Sequence, residues 1–291
     1  MRMRAQPADS RLYIITLPLQ SRKEIPEDFE LPNNVEFSFG VFLPGEDGSW
    51  FETGPYPPRI VLASPNALTI VSHPASGEPI QVIPLREIQF IEYAHMLLVG
   101  WISFASAQGS PTLPFNTRTN GPVEDFLREL TNGYAPAVDW PAPNDCAHFG
   151  SGLDLKFRNA EIGALIPYER VLVRFFNATR QTRSRAWGIL PIQSHDPADY
   201  LGLTNRRLLW MTERNRTYYD PYGVVQRSAP IANLIEVSIH HTGRNCGVLC
   251  RFVNGGSWCI PLPSDQFDAG ASFVDRTSAV IASIAFRKAG Q

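Results

Sequence analysis

Tyr200-Leu201-Gly202-Leu203-Thr204-Asn205-Arg206-Arg207-Leu208-Leu209-Trp210-Met211, followed after a loop by Ala229-Pro230-Ile231-Ala232-Asn233-Leu234-Ile235-Glu236-Val237-Ser238-Ile239, restates an earlier part of the same chain. The earlier version runs Ile60-Val61-Leu62-Ala63-Ser64-Pro65-Asn66-Ala67-Leu68-Thr69-Ile70-Val71 and resumes at Ile83-Pro84-Leu85-Arg86-Glu87-Ile88-Gln89-Phe90-Ile91-Glu92-Tyr93. Leu68 aligns with Leu208 and Ile88 with Leu234, so the loop is six residues longer in the second copy. A period near 145 residues is too long for a solenoid repeat and suits a duplicated domain. What repeats is a set of packing residues without a catalytic signature.

The 291 residues suffice for two ordinary cores. A hydrophobic content of 44% with 19% charged residues excludes a disordered chain. The 25 prolines exceed the roughly 15 of average usage. Proline is excluded from central strands and helix interiors, so the chain is rich in turns and edges and reads as mainly β. The net charge of −2 is divided unevenly: residues 1–145 carry 9 basic and 17 acidic side chains, the remainder 17 and 11. Two readings stand. The acidic half packs on the basic half of its own or a neighbouring chain, or the basic half meets an anionic partner.

Apolar alternation at Val35, Phe37, Phe39, Val41 and Leu43 is the cleanest strand signal, with Phe42 alone on the other face. A further apolar run covers Leu12–Leu17. Strands are expected at 60–63, 68–71, 80–83, 88–93, 96–104 and 112–115, the last an edge because of Pro114. A short helix over Val123–Leu130 follows, opened by Pro122. Residues 132–150, with Pro136, Pro141 and Pro143, read as a linker. The second half repeats the plan with strands at 171–176, 186–190, 200–203, 208–211, 224–229 and 234–239, a hairpin over 246–262 and a helix over about 271–286. Phe273, Val274, Val280, Ile281 and Ile284 form the apolar stripe of that helix.

Four cysteines, Cys146, Cys246, Cys250 and Cys259, are too few for a disulfide scaffold. A two-residue turn at Asn254-Gly255 would oppose Cys250 and Cys259. A three-residue turn would instead pair Phe252 with Trp258, Cys250 with Ile260 and Val248 with Leu262. The second register groups the apolar residues on one face and leaves reduced cysteines. The basic N-terminus leads into no signal-like core, and no stretch reaches membrane-spanning length, so the expected location is the cytoplasm.

The stretch from Leu203-Thr204-Asn205-Arg206-Arg207-Leu208-Leu209-Trp210 to Ala229-Pro230-Ile231-Ala232-Asn233-Leu234 resembles the bacterial pleckstrin-homology-like family. Members often show a threonine-asparagine-arginine-arginine turn entering one strand and an isoleucine-proline-leucine opening to the next. The resemblance covers about 165–287 well and 35–131 weakly, where Ser64-Pro65-Asn66-Ala67 departs from the pattern. It implies an α+β, mainly β chain of two such domains, 1–131 and 151–291, each a strongly bent antiparallel sheet or barrel closed by a C-terminal helix. Residues 35–131 and 165–287 should then match strand for strand.

The resemblance is nearly silent on ligand. In lipid-binding relatives of this fold, loops between early strands hold anionic head groups. Here Arg206, Arg207, Arg214, Arg216, Arg180, Arg183 and Arg185 form the densest basic region, set against the reading of a solvated or domain-facing charged surface. Tyr218, Tyr219 and Tyr222 lie in the lengthened loop, placed to contact a partner or to cover the edge of the core. His240-His241 would point to opposite strand faces, and Cys246 and Cys250 on a strand stand about 13 Å apart, so neither pair suits a metal. His195-Asp196 invites a catalytic reading, yet no nucleophile elbow, phosphate loop or dinucleotide fingerprint accompanies it. The expectation is therefore a non-enzymatic intracellular binding or assembly module, without cofactor or nucleic acid, engaging a protein partner or itself. The alternatives are peripheral binding to anionic lipid at the inner membrane surface and an enzyme with an unrecognised site.

Overall fold

The computed structural model describes residues 15–45, 56–95, 99–138, 146–186, 190–213, 223–242 and 245–289, with backbone alone for 99, 118, 180–186, 190–195, 242, 245, 254 and 284–289. The chain forms two compact units. The first comprises residues 1–88 and 95–134, the second 89–94 and 135–291. Both are mainly β with helices. Among the described residues no helix is long and apolar enough to cross a membrane.

In the first unit β1 (Leu17–Leu19), β2 (Phe39–Leu43), β3 (Arg59–Ala63), β4 (Ala67–Ser72) and β5 (Gln81–Pro84) form an antiparallel sheet in chain order. A 3-10 turn, Leu85–Glu87, leads to β6 (Ile88–His95), then β7 (Val99–Ser106), β8 (Thr112–Asn116) and helix α1 (Gly121–Tyr134). Strand β8 pairs with β7 and ends its row, as Pro114 requires. Phe39 meets Phe126 of α1 edge-on at 5.6 Å.

The alternation at 35–43 overstates the strand, which begins only at Phe39. The face assigned to Phe42 alone is a core face. Phe42 packs with Leu19, Phe29, Ile60, Leu62 and Val71, covered by Ile25, Leu31, Val35 and Phe37 from the lead-in. Each large apolar side chain buried this way stabilises by about 1.5–3 kcal/mol. Of the run expected over 12–17, residues 12–14 lie outside the described residues, and Leu17 opens β1.

The second unit adds β9 (Ala147–Gly150), α2 (Leu155–Ala164), β10 (Val171–Asn177), the hairpin β11 (Arg180–Ala186) and β12 (Leu190–Asp196), β13 (Asp199–Thr204), β14 (Arg207–Thr212), β15 (Val224–Pro230), β16 (Leu234–Thr242), β17 (Asn245–Phe252), β18 (Ser257–Leu262) and α3 (Phe267–Ala289). Its larger sheet runs β6-β15-β14-β13-β10-β9, with β6 contributing Gln89–Ala94. Strand β9 is parallel to β10 and falls inside the stretch expected as linker. The smaller sheet is β16-β17-β18. No closed barrel forms among the described residues: a 3-10 turn, Ile231–Asn233, breaks the chain after β15, whose edge takes β6 as neighbour instead of β16.

Both faces of β13 and β14 are buried. On one face Leu201, Leu203, Leu208 and Trp210 pack with Val248, Cys250, Trp258, Ile260 and with Phe273, Val274 and Val280 of α3. On the other, Tyr200, Leu209 and Met211 pack with Phe176 and with Phe157 of α2. Asp154 starts α2 by accepting the Phe157 N–H at 2.9 Å.

Two expectations need correction here. Of the strand expected over 186–190, residues 187–189 lie outside the described residues, while Ala186 ends β11 and Leu190 opens β12, paired with each other. The 246–262 hairpin adopts neither register weighed above: Cys250 faces Trp258, Val248 faces Ile260 and Leu249 faces Cys259, around a turn at Val253–Gly255. Placing the turn one residue earlier still puts Val248, Cys250, Phe252, Trp258 and Ile260 in one buried group. All four cysteines are free.

The element order recurs. The series β2 to β8 and α1 matches β10, β13 to β18 and α3, with a 3-10 turn at 85–87 in one and 231–233 in the other. The β11–β12 hairpin is an insertion into the second series.

Candidate functional site

The repeated β-turn is built the same way twice. Thr204 Oγ1 accepts the Arg207 N–H at 2.9 Å, and Ser64 Oγ accepts the Ala67 N–H at 3.1 Å. Ile231 N donates to Arg206 O and Leu85 N to Asn66 O, each at 2.9 Å. A Ser or Thr hydroxyl folding back on the backbone serves both turns in the same way.

Of the two arginines in this turn, Arg207 points inward. Its guanidinium clamps Glu169 through Nε to Oε1 at 2.9 Å and Nη2 to Oε2 at 3.0 Å, and gives a further bond to Ala164 O at 2.6 Å. The two side chains are 3% and 0% exposed. Glu169 also accepts from Thr204 Oγ1 at 2.7 Å and Ile166 N at 3.1 Å. Arg206 donates through Nη1 to Ala135 O at 3.2 Å and lies half-buried. Arg180, Arg183 and Arg185 fall on β11, where the described structure is backbone alone. Arg214, Arg216, Tyr218, Tyr219 and Tyr222 lie outside the described residues.

Two more buried carboxylates went unnoticed in the sequence. Glu161 of α2 takes both arms of Arg174, at 2.8 and 2.5 Å, and the hydroxyl of Tyr200. Burial, followed by the Glu161 charge, lifts the Tyr200 hydroxyl well above the usual phenol range. Glu213 holds Lys156 at 2.7 Å, Thr179 at 2.7 Å and the Ala198 N–H at 3.1 Å. Each carboxylate is neutralised by its own cation, which is the arrangement of structural ion pairs. His240 and His241 are exposed, and among the described residues no group of three His, Cys, Asp or Glu side chains could hold a metal ion.

The features with room for another molecule lie elsewhere. On the β15 edge, β6 is fastened by Glu92, whose Oε2 accepts from Arg227 Nε at 2.7 Å, while the Arg227 guanidinium lies 4.2 Å from the centre of the Trp210 ring. Phe90 meets Trp258 at 5.4 Å and Phe252 at 6.2 Å. The counterpart of β15 in the first series is β5, which ends its sheet and carries Ile80 and Val82 beside it at 39% and 50% exposure. The second feature is an open cleft of about 530 Å³ in the first unit, lined by Pro65, Asn66, Ala67, Pro84, Leu85, Arg86, Gly133 and Tyr134. Charged residues inside apolar strands, Glu92 beside Ile91 and Arg227 after Val225, were the sequence signal for the first feature.

No protein-family model matches the chain, and no curated protein matches it.

Proposed function

We propose that this chain is a non-enzymatic binding and assembly module built on twin pleckstrin-homology-like units, and that it engages an extended segment of a partner protein along β5. The twofold succession of seven strands and a helix, divided in the second unit into a four-strand row and a three-strand sheet, supports the fold reading. The observation that carries the binding reading is strand addition within the second unit: Gln89–Ala94 lies on the edge of β15, whereas among the described residues the matching edge of β5 has no neighbour.

An unpaired edge offers backbone donors and acceptors to an incoming strand, and alternate side chains set the choice of sequence. Pro79 and Pro84 limit the usable window to Ile80–Ile83, so the contact is short and the complex transient. Ile80 and Val82 fall at alternate positions and give that window an apolar face. The strand on β15, Gln-Phe-Ile-Glu-Tyr-Ala, combines apolar residues with Gln89 and Glu92. The acidic balance of residues 1–145 adds a preference for a partner strand with basic residues.

The lipid reading drew on Arg180, Arg183, Arg185, Arg206, Arg207, Arg214 and Arg216; of these, Arg207 is engaged by Glu169 and Arg206 donates to Ala135 O, which favours the protein reading.

The test uses the full chain and the variant Ile80→Lys with Val82→Lys, which charges the edge without touching the core. A partner captured by the wild type should bind the variant at least about tenfold more weakly, with new hydrogen-exchange protection at 80–83 in the complex. Equal binding by the variant refutes the edge reading. A doubled mass in sedimentation, reverting to the monomer in the variant, assigns the strand to a second copy.

A further inference from the structure

In the second unit the repeated turn at 204–207, which Ile231 N joins through Arg206 O, is crossed by a piece of extended chain. Val138 N donates to Asn205 O at 2.8 Å, Arg206 Nη1 reaches Ala135 O at 3.2 Å, and the Val138 side chain packs on the core beneath. The occupant is Ala135-Pro136-Ala137-Val138. Alignment of the turns places Asn205 and Arg206 opposite Pro65 and Asn66, and Pro230-Ile231-Ala232 opposite Pro84-Leu85-Arg86. Those first-unit residues line the open cleft. The turn at 204–207 is thus engaged by a small-residue, proline-containing segment, and among the described residues no such segment occupies the cleft at its first-unit counterpart.

We infer that the cleft of the first unit binds an extended peptide of the alanine-proline class, seated as residues 135–138 are seated in the second unit. Its size, about 530 Å³, falls within the range of ligand sites. Pro65, Pro84, Leu85 and Tyr134 supply the apolar walls that a polyproline-type chain uses, since such a chain makes no internal hydrogen bonds and leaves its backbone groups free for the site. Pro65 O stands where Asn205 O accepts the Val138 N–H, and Asn66 and the exposed Arg86 replace the Arg206 donor. A proline in the ligand lowers the ordering cost of binding. The site lies apart from the β5 edge variants and stands or falls independently of them.

The probe is acetyl-Ala-Pro-Ala-Val-amide, titrated against the full chain by amide NMR and by calorimetry. The expected result is saturable binding, with a dissociation constant on the order of 0.1–1 mM, and shifts at 66–67, 85–86 and 133–134. Replacing the peptide proline by glycine should weaken binding about tenfold. Gly133→Phe is the blocking variant, because a side chain at 133 meets no atom within 4 Å and grows into open space. It should abolish binding while the thermal midpoint stays unchanged or rises, since glycine is a poor helix residue. Should that variant fail to fold, the shift map alone decides. Non-saturable binding, undiminished binding to Gly133→Phe, or shifts confined to residues 205–206 or to β5 overturn the inference.

Discussion

Arg207→Ala separates a structural arginine from a ligand-binding one. The substitution deletes three donor contacts, two to Glu169 and one to Ala164 O, and leaves a fully buried carboxylate holding only Thr204 Oγ1 and the Ile166 N–H. Breaking a buried pair from one side costs about 3–5 kcal/mol, because the surviving charge can neither hydrate nor find another cation. For a unit of this size that corresponds to a fall of about 6–20 °C in the thermal midpoint. Arg251→Ala provides the contrast: its pair with Glu236 is 58% and 43% exposed, and exposed pairs contribute about 0–1 kcal/mol. Urea unfolding followed by tryptophan fluorescence reads both, Trp210 and Trp258 being buried reporters. The double variant Glu169→Met with Arg207→Met should recover most of the loss, as removing both partners leaves no orphaned charge. A loss under about 1 kcal/mol for Arg207→Ala, or a double variant no better than the single, would refute the reasoning.

Phe157→Ala should destabilise the second unit by about 3–5 kcal/mol in the same assay, since its ring is fully buried between α2 and the sheet. Burial pushes the Cys250 thiol up, with the nearby Cys259 adding to it, so iodoacetamide at pH 8 should label exposed Cys259 at least about 100-fold faster and reach Cys250 only after denaturation. Burial works to raise the Glu78 carboxyl, but the Ser72 hydroxyl and the Arg59 guanidinium outweigh it and hold the group below the usual range. Its stabilising contribution is therefore complete above the unfolded carboxylate value near 4.5 and is lost as the pH falls through the lower, folded value; a carboxyl NMR titration should show Ser72→Ala moving it upward.

The repeat was legible because packing residues recur at fixed spacing. Leu68 and Leu208 are both buried, as are Ile88 and Leu234. The α2 helix was not legible, although Leu208-Leu209-Trp210-Met211 announces it indirectly. An unbroken apolar run means a strand covered on both faces, and the second cover has to come from somewhere. Its own sequence gives a weak signal, since Leu155 and Ile162 face outward and Glu161 faces in. Arg207 was misplaced for a related reason. A charged residue looks exposed until its partner is known, and Glu169 lies 38 residues away. The favoured hairpin register at 246–262 missed by two residues, Cys250 facing Trp258 instead of Ile260, because a shift of two keeps the same apolar face and the choice is made by the turn at 253–255.

The excursion of Gln89–Ala94 makes the chain indivisible by a single cut. Residues before 89 and after 94 belong with the first unit, and those six with the second. An expression boundary anywhere in 132–150 would strip Phe90 from the Trp258 ring and Glu92 from Arg227, leaving one piece with a surplus strand and the other with a raw hydrophobic flank. The boundary between the units is in that sense interleaved along the chain, and neither unit can be truncated without removing a strand from its partner or leaving one behind.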